Sequence, residues 1–379
     1  MKILHLSDAG LPDWRTEKSA ITASNHGHEV MFAGRDSKNY HTKTFSKIYE
    51  IKWTFKARIG IPFYWHSVKK QVERVIKEVR PDIVHAHNIF AAKMISEFGL
   101  PFVYNDHEYW SKLAQLLAEM TTSSEEKMIE VVTTGLPKKV RRMILSYYAK
   151  HLWTKWEKEL VSCCPTITVS DKIAEELKVI GNSDRVFVVP NFPMKHEVKN
   201  FEQPHFHTKL SSVYAGSDGH NKQKYPSRNI DDLVDTYLKR DIGDLTIIGW
   251  EGKSPSSKIR HSGFLPRQEM FVEMFRHSIG LIPFKKHWAH AYMSPNKAYE
   301  YAFAGLFVMC TSSIKPVAQT LERNCITFED CSDMASQLEY FKDNLEELYK
   351  KRERIFEFAR KELIWENYEK NIFLAYQLC

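Results

Sequence analysis

Three polar residues near the start of a predicted helix, Asn296, Lys297 and Glu300, have the types and spacing that could hold a phosphate and a ribose. The free backbone amides at a helix start lie at the positive end of the helix dipole, and Lys297 adds a full charge. Glu300 follows about one turn later on the same face, where a carboxylate can accept hydrogen bonds from two ribose hydroxyls. Taken alone, the pattern favours a capped amphipathic helix that binds nothing.

The helix itself is predicted from the residues that delimit the segment SPNKAYEYAFAG at positions 294–305. Ser294 is a common N-cap, Pro295 is favoured at the first helical position, and Gly305 readily adopts the left-handed conformation that ends a helix.

A second predicted helix start with cationic residues follows the strand pattern SSVYAG, which ends at Gly216. The loop begins with Ser217, and Arg228 lies on the first turn of the next predicted helix, where its guanidinium can neutralise a pyrophosphate. Lys222 and Lys224, in the loop between them, are interpreted as solvated charges. We therefore expect Arg228, rather than these two lysines, to contact the pyrophosphate.

Histidines and a glutamate follow two predicted strands in the first half of the chain. The pattern PDIVHAHN delivers His85 and His87 to one side of an extended segment, at the strand end where open α/β sheets bind ligands. After the strand PFVYN, His107 could donate a hydrogen bond to a sugar hydroxyl or to charge developing in a transition state, and Glu108 lies beside it. No third or fourth ligand accompanies the histidine pair at a recognisable spacing, so we expect no metal.

The loop after the first predicted strand, SDAGLPDWRTEK, lacks the glycine-rich GxGxxG turn that a nicotinamide dinucleotide would require. Its Asp8, Asp13 and Arg15 suit contacts to an acceptor substrate or a donor phosphate, although Asp13 also fits the start of a helix. We therefore expect no bound cofactor.

Residues 138–158 hold seven Lys or Arg against one Glu, with interleaved aromatic residues. Apolar residues recur at every fourth position, so their stripe drifts around a helix of 3.6 residues per turn. Such a basic helix can lie on an anionic membrane surface, and packing of the stripe against its own domain explains the pattern equally well. Residues 52–70 have a similar composition and favour the membrane interpretation.

Strand and helix patterns alternate in both halves of the chain, which predicts an α/β protein with two Rossmann-like, doubly wound parallel sheets. Residues 190–208 contain three prolines and no clear periodicity, as expected of a linker. We expect a first domain at 1–195, a second at 196–355 and a terminal helix at 356–379.

The bulk composition agrees with this organisation. The 379 residues include 43% hydrophobic and 27% charged residues, which is typical of a globular protein of two domains. No apolar run is long enough to span a membrane, and the N-terminus resembles a strand rather than a secretory signal, so we expect a cytoplasmic protein. The net charge of +7 suggests an anionic partner, which we do not expect to be a nucleic acid.

In order along the chain, these motifs resemble the family-4-like retaining glycosyltransferases of the GT-B fold. The matches cover nearly the whole sequence. Each motif is weak by itself, and the resemblance rests on their occurring together in the same order. They are GHEV at 27, PDIVHAH at 81, NDHE at 105, ITVSD at 167, VVPNF at 188, YAG at 214, IIG at 247, HSGFLP at 261, PNKAYEYAFAG at 295 and WENY at 365.

The resemblance implies two domains facing each other across a cleft, with a C-terminal helix that crosses back to the first domain. It assigns catalytic roles to His107, Arg228 and Lys297. The implied donor-binding residues are Gly216, Ser217, Arg228, Gly249, Gly263, Ser294, Asn296, Lys297 and Glu300, with Glu300 on the ribose. The expected acceptor-binding residues are Asp8, Asp13, Arg15, His87 and Glu108.

Three positions depart from the pattern of the family. Tyr292 replaces a Glu found in many relatives eight positions before the ribose Glu, Ser217 replaces a basic residue, and DWR at 13–15 replaces a glycine pair.

The expected function is metal-independent transfer of a sugar from a UDP- or GDP-linked donor to a glycan or lipid-linked acceptor, with retention of configuration, at the cytosolic membrane face. A nucleotide-sugar epimerase of the same architecture and an inert nucleotide-sugar binding protein are the alternatives, the latter suggested by Tyr292 and Ser217.

Overall fold

The computed structural model describes residues 1–37, 40, 42–120, 137–198, 203–216, 228 and 230–379. They form two compact units. The first comprises the described parts of Met1–Ala118, Val132–Pro190 and Tyr368–Cys379, and the second those of Glu119–Val131 and Asn191–Asn367. The first unit thus ends at residue 190 rather than at 195, and residues 356–367 belong to the second unit rather than to the terminal segment.

The first unit contains a seven-stranded, wholly parallel sheet with the strand order β3-β2-β1-β4-β5-β6-β7. Its strands are β1 (Lys2–Ser7), β2 (Glu29–Gly34), β3 (Lys47–Glu50), β4 (Ile83–His87), β5 (Phe102–Asn105), β6 (Thr166–Thr168) and β7 (Val186–Val188). The strands β4, β5 and β6 are buried along their whole length, because helices cover both faces of a parallel sheet.

The helices of the first unit start and stop where local sequence signals place them. Asp13 caps the first helix by accepting hydrogen bonds from the amides of Arg15 and Thr16, and Gly27 follows its end with φ of 79°. The described helices are α1 (Trp14–Asn25), α2 (Phe55–Arg58), α3 (Pro62–Val79), α4 (Asn88–Ile95), α5 (Trp110–Met120), α6 (Lys138–Tyr147), α7 (Trp153–Cys163) and α8 (Asp171–Gly181).

A π-helical segment, Tyr148–Leu152, joins α6 to α7. A π turn holds more residues than an α turn. It therefore offsets the drift around the helix of an apolar stripe that recurs every four residues. As a result Trp153, Trp156 and Leu160 are all buried, while Lys155 remains exposed. Packing therefore accounts for the tryptophans of the basic helix.

The second unit repeats this topology with a six-stranded parallel sheet in the order β10-β9-β8-β11-β12-β13. Its strands are β8 (Ser211–Ala215), β9 (Asp244–Ile248), β10 (Ile259–His261), β11 (Ile279–Ile282), β12 (Phe307–Thr311) and β13 (Cys325–Phe328). Its described helices are α9 (Asp231–Lys239), α10 (Arg267–Phe275), α11 (Asn296–Phe303), α12 (Lys315–Leu321), α13 (Cys331–Asp343) and α14 (Leu345–Glu362). Both sheets confirm the α/β class predicted from the sequence.

Short 3₁₀ turns cover Lys195–Glu197, Trp288–Tyr292, Glu322–Asn324 and Trp365–Tyr368. The last turn leads into α15 (Glu369–Gln377), which packs against β5, β6 and β7 of the first unit. Thr22 and Glu369 join this helix to α1 by a hydrogen bond of 2.7 Å.

Candidate functional site

In the second unit, the first turn of α11 lies close to the carboxyl end of β8. The Lys297 ammonium is 4.3 Å from the ring centroid of Tyr214 and 5.3 Å from that of Phe284. A Cβ atom added at Gly216 would lie 2.9 Å from the Lys297 Nζ atom. The glycine therefore leaves the space that the ammonium occupies at the sheet edge, where open α/β sheets bind ligands.

The Arg228 guanidinium approaches the same aromatic ring, with 5.5 Å between its Cζ atom and the Phe284 ring centroid. Gly216, Arg228 and Lys297 were all predicted as donor-binding residues, and the structure brings Arg228 and Lys297 to Phe284, with Gly216 beside Lys297. Phe284 and Tyr214 were not predicted as site residues; Tyr214 lies within β8, and Phe284 follows β11 by two residues. Ser217, Lys222 and Lys224 lie outside the described residues.

The start of α11 differs from the prediction in its capping. Pro295 occupies the N-cap position, and the hydroxyl of Ser294 is 2.6 Å from that of Tyr299 instead of capping the helix. The prediction of a Ser294 cap is therefore wrong, because a buried tyrosine hydroxyl competes for the serine. The end was predicted correctly, since Gly305 follows the helix with φ of 64°. Asn296 is exposed at the first helical position.

Glu300 is held by an ion-paired cluster that the sequence analysis did not find. Arg267, at the start of α10, lies between two carboxylates, with its Nη1 atom 2.7 Å from Glu300 Oε1 and its Nε atom against Glu197 Oε1. Burial lowers the pKa of Arg267, but Glu300 and Glu197 outweigh this effect and raise it overall. These contacts join residues 33 and 70 positions apart, a separation that leaves no local pattern.

Gly249 and Gly263 lie at the carboxyl ends of β9 and β10 and are bonded to each other. The amide of Gly249 donates to the carbonyl of Gly263 over 2.6 Å, and their φ angles are 93° and 64°. Both angles lie in the left-handed region that favours glycine, so the two residues shape this edge through their backbones.

In the first unit, β1, β4 and the residue pair following β5 bring four imidazoles together. His85 and His87 stack with 4.6 Å between ring centroids, which confirms that they point to one side of their strand. His87 lies at the last position of β4 and is fully buried, so the expectation that it contacts an acceptor is wrong. Instead its Nδ1 atom is 2.9 Å from the Nε2 atom of His107. His5, the fourth member, was not predicted as a site residue.

Arg15 is also committed to structural contacts. Its side chain donates from Nε to Asn105 Oδ1 over 3.0 Å and from Nη1 to the carbonyl of Val189 over 2.7 Å. Burial lowers its pKa to about 10, while Asp13 and Asp106 oppose that shift. These contacts, together with an exposed fraction of 5%, contradict the expected role of Arg15 in contacting a substrate.

The two aspartates of the first loop differ in their surroundings. Asp8 is buried, pairs with Arg58 at 2.8 Å, and accepts a hydrogen bond of 3.3 Å from Asn88. Asp13 caps α1, as the alternative interpretation of this residue allowed, and its Oδ2 atom is 4.0 Å from His107 Nδ1. Burial raises the pKa of both carboxyl groups. Glu108 is half-buried next to His107.

Two further properties concern partners of the chain. Across the described ranges, no group of three or more His, Cys, Asp or Glu side chains is arranged to hold a metal ion. None of the helices in those ranges has the length and apolar character needed to cross a membrane.

The segments 52–70 and 138–158 are neighbours in the first unit. The rings of Trp65 and Trp156 are 5.7 Å apart, and the Tyr148 hydroxyl donates to the carbonyl of Ile59 over 3.2 Å. Around this contact, Phe63 is 78% exposed and Tyr147 is 55% exposed.

Comparison with known proteins supports a glycosyltransferase architecture. Residues 20–192 match the family model Glycosyltransferase Family 4. No curated protein sequence matches the chain. Among solved structures, sucrose-phosphate synthase from Thermosynechococcus elongatus superposes with a TM-score of 0.67 and 11% identity, over 100% of this chain and 98% of that one.

Two other structures are similar over nearly their whole length. HepE from Anabaena, solved in complex with UDP-glucose, has a TM-score of 0.65 and 12% identity, covering 98% of each chain. WaaG, a glycosyltransferase involved in lipopolysaccharide biosynthesis, has a TM-score of 0.62 and 14% identity, covering 99% of each chain. At these identities the structures establish the fold, and the family model identifies the first half. Residues 20–192 therefore match the Glycosyltransferase Family 4 model, and the chain as a whole has the GT-B fold of these solved structures.

Proposed function

We propose that this protein transfers a sugar from a nucleoside diphosphate sugar to a glycan or lipid-linked acceptor, with retention of configuration at the anomeric carbon. The observation that carries the proposal is the convergence of Arg228 and Lys297 on Phe284, beside Gly216. Two cations at the carboxyl edge of a parallel sheet, one of them on the first turn of a helix, are suited to a diphosphate.

Glu300 is proposed to hold the donor ribose. It lies on the same helix as Lys297, three positions further along, so both side chains lie near one face of α11. Arg267 holds the carboxylate in place by donating a hydrogen bond to Oε1. The remaining lone pairs of Glu300 can then accept hydrogen bonds from the two ribose hydroxyls.

The chemical step is proposed to need no metal. Arg228 and Lys297 stabilise the negative charge that builds up on the diphosphate as the glycosidic bond breaks, which is the role a divalent cation fills in other enzymes. The resemblance to retaining family-4-like enzymes suggests that the leaving phosphate takes the proton of the acceptor on the same face of the sugar.

The acceptor is proposed to bind the first unit near Glu108 and His107. Asp8 is buried and paired with Arg58, so we no longer propose that it contacts the acceptor. His107 is the proposed catalytic residue of this unit, because its side chain is 12% exposed while the other three imidazoles are buried.

The proposal is tested by incubating the purified protein with UDP- and GDP-linked sugars in the absence of acceptor. Slow release of nucleoside diphosphate supports a transferase, formation of an epimer identifies an epimerase, and binding without turnover identifies an inert binder. Lys297→Met should abolish release. Lys315→Met, at an exposed position in the same unit, is the matched control.

We also propose that the first unit adheres to anionic membranes through residues 52–70 and 138–158. The supporting observation is that exposed Phe63 and Tyr147 flank the contact between these segments, among exposed basic residues such as Lys155. Flotation with vesicles containing an anionic phospholipid should recover the protein at low salt and not at high salt. Phe63→Ser should reduce recovery, whereas Phe264→Ser, at a residue that is 76% exposed in the second unit, should not.

A further inference from the structure

Three imidazoles form a continuous hydrogen-bonded line from the interior of the first sheet to its carboxyl edge. His5 Nδ1 lies 2.9 Å from His87 Nε2, and His87 Nδ1 lies 2.9 Å from His107 Nε2. They come from β1, β4 and the residues after β5, which are neighbouring strands of the sheet. His5 and His87 are fully buried, and His107 alone is partly exposed.

The three rings are neutral near pH 7. Burial lowers the pKa of His5 to about 3 and also lowers the pKa of His87 and His107 well below the ordinary value. The nearby cations Arg15 and Lys18 lower the pKa of His107 further. A neutral imidazole carries one N–H group and one acceptor nitrogen, so two hydrogen bonds between three rings allow only two orders of donation.

The first order runs inward, from His107 Nε2 to His87 and from His87 Nε2 to His5. It leaves a proton on His5 Nε2, which is buried and has no hydrogen-bond partner among the described residues. It also turns the lone pair of His107 Nδ1 towards Asp13 Oδ2, which is 4.0 Å away. An unpaired buried N–H group costs about 1–3 kcal/mol, and two facing acceptors repel each other.

The second order runs outward, from His5 Nδ1 to His87 and from His87 Nδ1 to His107 Nε2. It leaves only an acceptor nitrogen unpaired on His5, and it places the N–H of His107 Nδ1 opposite the Asp13 carboxyl group. The neighbouring His85 follows the same pattern. Asn105 Oδ1 accepts from Arg15, so its amide donates to His85 Nε2 and the ring proton lies on Nδ1, 2.7 Å from the Tyr376 hydroxyl.

We propose that His5 and His87 are positioning residues that hold His107 in its Nδ1-protonated tautomer and direct this N–H group out of the sheet edge. The Nε2 atom of His107 is then occupied as an acceptor, so His107 serves a substrate as a hydrogen-bond donor and not as a base. The distance of 4.0 Å to Asp13 is too long for a hydrogen bond, so the N–H group can turn to a sugar or acceptor oxygen. The substrate role rests on the proposed function, whereas the tautomer does not.

The tautomer can be measured directly in the full-length protein by nitrogen-15 NMR of the histidine rings. We expect the proton of His107 on Nδ1 in the wild-type protein at pH 7. A proton on Nε2 would overturn the proposal, and this result requires no variant to fold.

Substitutions of His87 test whether the line of imidazoles imposes the tautomer. His87→Phe removes the donor to His107 and should give a mixture of tautomers, while His87→Asn, whose amide nitrogen can replace Nδ1, should restore the wild-type signal. His5→Phe provides a second variant should His87→Phe not fold. An unchanged Nδ1 signal in a folded His87→Phe variant would show that something other than His87 sets the tautomer.

Kinetics separate the positioning role from the proposed function. Loss of one preorganised donor typically lowers kcat by about 10²–10³, so misorienting His107 should lower kcat at least about tenfold with little change in KM for the donor. If the tautomer changes as expected and kcat does not, the positioning role stands and the catalytic role of His107 fails.

Discussion

Arg267 lies between two buried carboxylates of the second unit, so its replacement should destabilise that unit. The guanidinium is 14% exposed and serves Glu197, which is 5% exposed, and Glu300, which is 11% exposed. Arg267→Met removes the cation and leaves two buried carboxylates facing each other. Removal of one partner of a buried ion pair costs about 3–5 kcal/mol, because the remaining charge stays desolvated.

This loss corresponds to a decrease of roughly 6–20 °C in the midpoint of thermal unfolding, since about 2–4 °C is lost per kcal/mol in units of this size. Differential scanning calorimetry is the appropriate assay because it separates the transitions of two units. The matched control is Arg240→Met. Arg240 also makes two bonds, to Glu339, but these side chains are 34% and 44% exposed, and surface pairs contribute at most about 1 kcal/mol.

The combination of Arg267→Met with Glu197→Gln should recover part of the loss, because only one uncompensated carboxylate then remains. If Arg267→Met shifts the midpoint no further than Arg240→Met does, the cluster is not buried in solution. Its proposed role in holding Glu300 would then be refuted as well.

Three other substitutions probe the donor site and the buried carboxyl groups. Glu300→Ala should weaken UDP or GDP binding by about tenfold in calorimetry and should also lower stability, because it leaves Arg267 with one partner; unchanged affinity would remove Glu300 from the ribose. Gly216→Ala should weaken nucleotide binding, since the new Cβ would lie 2.9 Å from the Lys297 Nζ atom and 3.0 Å from the hydroxyl of the buried Tyr214; wild-type affinity would show that the ammonium does not act from there. Glu157 is fully buried on α7 and accepts a hydrogen bond from the Ser111 amide. Burial raises its pKa to about 7, so the folded state binds more protons than the unfolded state between about pH 4.5 and 7 and loses stability as pH rises. Relative to wild type, the free energy of unfolding of Glu157→Gln should therefore increase by up to roughly 3 kcal/mol as the pH rises across that range, as measured by urea titrations. A difference in unfolding free energy that does not change with pH would contradict the raised pKa.

The sequence predicted most of the fold because parallel strands buried on both faces form short, strongly apolar runs. It missed β3 (Lys47–Glu50), a half-exposed edge strand with two charged residues, and β13 (Cys325–Phe328), which is also half-exposed. In such strands the hydrophobic pattern is too weak to separate them from loops.

Gly216, Arg228 and Lys297 were predicted from positions at a strand end or a helix start, and the structure brings them close together, although α9 begins only at Asp231; their binding roles stay predictions. The sequence-based prediction was weakest elsewhere. It failed where long-range packing decides. The type of Arg15 suggested phosphate binding, yet Asn105 and Val189 use its guanidinium. Nothing in a linear sequence shows that residues 90 and 174 positions away are its partners.

The shared strand order of the two sheets makes their first strands, β1 and β8, topological equivalents. The residues that follow these two strands therefore occupy equivalent positions, and they can be compared directly. After β1 the chain has Asp8, whose carboxylate engages Arg58, and after β8 it has Gly216, which leaves room for Lys297. At the edge of the first sheet, the side chain of Asp8 is neutralised by an arginine. At the edge of the second sheet, the absence of a side chain at Gly216 leaves space for a lysine. The asymmetry between two similar units thus begins at one equivalent residue position.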